Sequence, residues 1–111
     1  MEITTVLPIR QLVIMSQQAA AAVGKPGRGR HAHRIVLERV EHGTLYYQAR
    51  AGRQTQAVTI KLTAATKITR VSVQGALDGP AARFAAALHK LIQAADPSAT
   101  CTRTREGPQP R

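Results

Sequence analysis

The segment 44–63 constrains this chain more than any other, because two alternating runs are joined there by a turn sequence. Residues 55–63 set Gln56, Val58, Ile60 and Leu62 against Thr55, Thr59, Lys61 and Thr63. A period of two is the mark of a strand with one face buried and the other in solvent. Residues 44–50 repeat it, with Leu45, Tyr47 and Ala49 on one side and Thr44, Tyr46, Gln48 and Arg50 on the other. Between the two runs, Ala51-Gly52-Arg53-Gln54 reads as a hairpin loop. A hairpin with one apolar face must be covered, so the rest of the chain has to supply the cover.

The flanks extend the sheet and provide that cover. Residues 34–41 read as a strand leading into the turn His42-Gly43. A fourth strand is expected near 67–74, where Ile68 is out of phase with Val71 and Val73 and a bulge would reconcile them. Ile9, Leu12, Val13, Ala20 and Val23 recur at helical spacing, and Gln17 to Val23 is rich in alanine. A helix over about 9–23 is favoured, with 9–15 open between helix and strand because β-branched residues crowd its approach, and Gly24-Lys25-Pro26-Gly27 ends it. A second helix is expected over 80–95, with Phe84, Leu88, Leu91, Ile92 and Ala95 on one stripe and Arg83, Lys90 and Ala94 on another. Asp78 could cap it, and Asp96-Pro97 stops it.

The expected fold class is α+β: a helix, an antiparallel sheet of three or four strands, then a C-terminal amphipathic helix packed on one sheet face. Residues 1–97 would form one small basic domain with a mobile basic loop at 24–33, and residues 98–111 a flexible polar tail. At 111 residues there is room for one core, and with only Tyr46, Tyr47 and Phe84 aromatic it must be built from Val, Ile, Leu and Ala. Such a domain is expected to be marginally stable alone.

The order helix, sheet, helix is similar to that of double-stranded RNA-binding domains, and Ala82-Arg83-Phe84-Ala85-Ala86-Ala87-Leu88 resembles their Ala-rich second helix. The paired lysines expected where that helix starts are replaced here by Gly79-Pro80. The resemblance is one of fold layout and implies no membership.

Charge bears most directly on function. Sixteen Lys and Arg oppose six Asp and Glu, a formal net charge of +10. Self-repulsion at that charge is relieved by a bound polyanion, so nucleic acid is the expected partner, with RNA or single-stranded DNA favoured over duplex. Twelve of the sixteen are Arg, whose planar fork suits phosphate, although GC-rich coding also raises Arg and Ala together. The candidate binding residues are Lys25, Arg28, Arg30 and Arg34 in and beside the basic loop, and Tyr46, Arg50, Arg53, Lys61 and Arg70 on the sheet. Arg50, Lys61 and Arg70 would share the polar face with Tyr46, the cations holding phosphates while a base stacks on the ring. The same residues are also common on a merely solvated sheet face. Arg28-Gly29-Arg30 is similar to the minor-groove core of an AT-hook, but His31 stands where a Pro is expected, so a generic phosphate-touching loop is favoured over a hook, and a flexible linker is an equal reading.

Other chemistries find less support. His31, His33 and His42 lack the ligand number and spacing of a zinc site, and the one cysteine, Cys101, allows no internal disulfide, so neither metal nor cofactor is expected. No clustered carboxylates suggest a two-metal nuclease, and no enzymatic role is expected. The alternatives are a small subunit or adaptor of a larger assembly, with a protein partner or self-association, and after it a metal-free ribonuclease. No run is long and apolar enough for a membrane span. A lone cysteine fits a reducing cytoplasmic compartment, while a basic N-terminal third leaves organelle import as the alternative.

Overall fold

In the computed structural model, which describes residues 1–23, 33–75 and 79–102, six strands and two helices make one antiparallel sheet with a helical layer. The elements are β1 (Glu2–Thr5), α1 (Ile9–Val23), β2 (His33–Glu41), β3 (Thr44–Ala51), β4 (Gln54–Ala64), β5 (Thr69–Gly75), α2 (Gly79–Ala95) and β6 (Thr100–Thr102). The sheet order is β2-β3-β4-β5-β1-β6. The class is the expected one, α+β with two helices and an antiparallel sheet, but six strands replace the three or four expected.

The central meander follows from local chemistry. His42 and Gly43 take φ values of 50° and 75°, the two left-handed positions of the tight hairpin turn that matches strand twist. Strand β3 then pairs with β4 from Thr44↔Lys61 to Ala51↔Gln54, so the alternation predicted for 44–50 and 55–63 is met in register, although Thr44, expected on the solvent side, is buried. Leu45, Tyr47, Ala49, Val58, Ile60 and Leu62 are buried beneath the helices. Arg50 and Lys61 stand exposed on the other side, with Tyr46 half-buried beside them.

Helices α1 and α2 pack on the buried face and against each other. From α1 come Leu12, Met15, Ser16, Ala19 and Ala20, and from α2 Ala81, Phe84, Ala85, Leu88 and Ile92. Phe84 is wholly buried, and its ring centroid lies 4.8 Å from that of Tyr47 in a tilted contact. The Tyr47 hydroxyl is satisfied by Ser16 Oγ at 2.7 Å. Since Ser16 directs its own hydrogen to the Val13 carbonyl at 2.8 Å, Tyr47 is the donor. Burial raises the Tyr47 phenol above its ordinary value.

Several expectations need correction. The bulge is not in β5, which pairs with β4 without interruption from Val58↔Gly75 to Ala64↔Thr69 and leaves Ile68 before the strand. It lies in β2, between Leu37↔Tyr47 and Arg39↔Tyr46. Ala95, placed on the apolar stripe of α2, is exposed at the helix end. Residues 2–5, for which no element is expected from the sequence, form β1 and pair with β5 through Ile3↔Val71 and with β6 through Ile3↔Cys101. Residues 100–102, read as part of the tail, thus belong to the sheet. With a strand ahead of α1 and six in the sheet, the layout departs from the simple helix–sheet–helix order.

The junction of α2 with β1 is held by Asp96. Its Oδ2 accepts from the Thr5 hydroxyl at 2.6 Å and the Val6 amide at 3.0 Å, and its Oδ1 from the amide and hydroxyl of Ser98. The hydrogen bonds from Ser98, Thr5 and Val6 hold this carboxyl well below its ordinary value, to about 2. Asp96 does stop α2, as its place before Pro97 suggests, but it also anchors the N-terminal strand.

Candidate nucleic-acid interface

The face of the sheet turned away from the helices is built in cross-strand rows. One row runs Arg34, Arg50, Thr55, and the next Val36, Gln48, Ala57. A third runs Arg39, Tyr46, Thr59, Gln74, and a fourth Glu41, Thr44, Lys61, Ser72, Glu2, Thr102. The last is Thr63, Arg70, Thr4, Thr100. Arg34, Arg39, Arg50, Lys61 and Arg70 are all exposed. From β2 to β5 these cations span three strand spacings, roughly 14 Å at ~4.8 Å each.

The expected grouping of Arg50, Lys61 and Arg70 with Tyr46 on one face is present in the register. Arg34 joins them, directly opposite Arg50. Arg53 sits exposed at the turn between β3 and β4, at the end of the face that carries Arg34 and Arg50. Lys25, Arg28, Arg30 and His31 lie outside the described residues, as does the Asp78 cap, and the chain enters β2 at His33 beside Arg34.

The electrostatics are uneven across the face. Arg34 and Arg50 oppose each other with no carboxylate in their row, and like charges so placed repel. Among the described residues the side chain of Arg50 meets Gln48, its Nη2 donating to Oε1 at 3.2 Å. Lys61 is flanked by Thr44 and Ser72, and Arg70 by Thr63 and Thr4. The acids of the face, Glu41 and Glu2, stand on β2 and β1 in the row that holds Lys61, each two strands from it. Glu41 makes a 4.0 Å contact with Arg39 in which both side chains are more than half exposed.

One residue of the face escaped the sequence reading. Arg39 lies over the ring of Tyr46, its guanidinium carbon 4.2 Å from the ring centroid. Counting by twos from Arg34 puts Arg39 on the helix side. The bulge shifts the phase and brings it to the open side. The signal was in the sequence: Ile35, Leu37 and Val40 are spaced by two and then three.

Among the described residues no cluster of His, Cys, Asp and Glu could hold a metal ion, and no helix is long and apolar enough to cross a membrane. Compared with known protein families, curated proteins and solved structures, the chain matches none.

Proposed function

We propose that this protein binds nucleic acid through the open face of its sheet, with single-stranded RNA or DNA preferred over duplex and no catalytic step. The observation that carries the reading is the Arg34–Arg50 pair: two exposed guanidiniums directly opposite one another with no acid in their row. That arrangement raises the free energy of the protein alone and lowers it once an anion bridges the two. Lys61, Arg70 and Arg39 continue the positive surface across the sheet, and Tyr46 supplies a ring among them. Cations for phosphates and a ring for a base are the two parts of a single-strand site. Lys25, Arg28 and Arg30 precede β2 in sequence and would extend the contact from the Arg34 end.

The test is a salt titration of binding to mixed-sequence RNA, single-stranded DNA and duplex DNA. Each phosphate neutralised on a single strand adds roughly 0.7 to the log–log slope, so the five cations of the face predict a slope of about −3.5 if all are engaged. Absence of binding to all three at low salt would overturn the reading.

A second reading, a subunit of a larger assembly, draws on strand β2. Val40, which pairs with Leu45 on the helix side, is 55% exposed, so the helical layer leaves this edge strand partly uncovered. Size-exclusion chromatography with and without nuclease separates the two readings. A complex that survives nuclease favours a protein partner.

A further inference from the structure

We infer that Arg39 and Tyr46 form an exchangeable stacking site for a single unpaired base, in which the base takes the ring face that Arg39 covers and the displaced guanidinium takes the neighbouring phosphate. The inference rests on the reading of the open face as a single-strand surface and adds to it a mode of capture.

Three observations carry it. The first is the placement of Arg39 by the bulge. Without the extra residue, the partner after Leu37↔Tyr47 would be Glu38 opposite Tyr46, and Arg39 would turn towards the helices. The bulge puts a cation over the ring where regular pairing would have put a carboxylate. Re-aiming a side chain is what bulges do beside functional sites.

The second is how loosely Arg39 is held. Among the described residues its guanidinium meets the open ring at 4.2 Å and the exposed Glu41 carboxylate at 4.0 Å. Both contacts are weak in water. A nucleotide offers stronger partners for both groups: a base overlaps the phenol ring more fully, and a phosphate meets the guanidinium fork with paired hydrogen bonds.

The third is that, of the Phe, Tyr and Trp side chains, Tyr46 alone is on this face. The other two aromatics of the chain, Tyr47 and Phe84, are buried beneath the helices. The site therefore stacks one base per protein, and a duplex, whose bases are already stacked, cannot use it.

The chain has no Trp and two Tyr, so Tyr47→Phe leaves Tyr46 as the sole fluorophore while keeping the ring that packs on Phe84. The experiment titrates this variant with a short oligouridine, reading tyrosine fluorescence, alongside anisotropy of the same oligomer end-labelled. Quenching that follows the binding isotherm, and is absent with a duplex of equal length, is the expected result. Tyr46→Ala in the otherwise native chain should weaken oligouridine binding on the order of 5- to 150-fold. Arg39→Ala should reduce the salt slope by about 0.7 while the quenching persists. Binding without quenching, equal quenching by duplex, or an unchanged slope for Arg39→Ala would each overturn the exchange site while leaving the nucleic-acid reading in place. No binding by the native chain removes that reading itself.

Discussion

The hydroxyl of Thr5 donates to Asp96 at 2.6 Å, tying the second residue pair of β1 to the residue that ends α2. Four donors converge on this carboxylate, which is buried together with Thr5. A carboxyl whose folded value is depressed contributes stability above its unfolded value, and loses it as pH falls through the folded one. For Asp96 the window runs from its ordinary 3.8 down to about 2. Asp96→Asn should lower the thermal midpoint at neutral pH, and the gap to the native chain should narrow as pH falls through that window. A gap constant from pH 7 to pH 2 would show that the charge of Asp96 contributes nothing.

Phe84 is the largest fully buried side chain and bridges α2 to the Tyr47 ring. Phe84→Ala should cost about 3–5 kcal/mol in chemical denaturation, enough to unfold a marginal domain. Tyr47→Phe should cost only ~1 kcal/mol, the worth of its bond to Ser16. Equal losses for the two would mean that the hydroxyl pair, and not ring packing, joins helix to sheet.

Arg34 and Arg50 should show opposite effects on stability and binding. Arg34→Thr removes one of two facing like charges, so it should stabilise the free protein by ~0.2–1 kcal/mol at low salt. The same substitution should weaken nucleic-acid binding and flatten the salt slope by roughly 0.7. Thermal melts and binding titrations on one preparation measure both. A variant that melts lower and binds unchanged would remove the argument from this pair.

Gly75 closes β5 against β4 with φ at +129°, and a Cβ there would lie 2.3 Å from the Ala57 carbonyl oxygen. Backbone cannot yield as a side chain can, so Gly75→Ala must part the strands near Val58↔Gly75. A loss of about 1–3 kcal/mol is expected in chemical denaturation. A neutral result would place the end of β5 outside the cooperative unit.

How much was legible follows from how local each signal is. The faces of β3 and β4 could be read because burial on one side imposes a period of two over many residues. Helix α1 was bounded correctly at Ile9 and Val23, although Met15, Ser16 and Ala19 proved to be core. Strands β1 and β6 were missed because each is short and shows little pattern of its own. In β1 only Ile3 is a buried apolar residue, and β6 is Thr-Cys-Thr. Their pairing is with distant chain, which no local window reports. The cations of the open face were mostly identified, but Arg39 was lost with the misplaced bulge.

The insertion of β1 between β5 and β6 bears on the order in which the molecule assembles. Strands β2 to β5 join neighbours in sequence and can zip from turn to turn, at low cost in loop closure. Strand β1 must instead bridge nearly the whole chain, with the amino group of Met1 donating to the Val73 carbonyl at 3.2 Å and the Met1 carbonyl accepting from the Val73 amide at 2.8 Å. Contacts of that span slow folding, because their entropy is lost before their energy is gained. On the ribosome β1 is made before both of its neighbours and must wait for them, so it is among the last of the six strands to find its place. Pulse-labelled hydrogen exchange would show this as late protection of Ile3 and Thr5 relative to Tyr47 and Ile60.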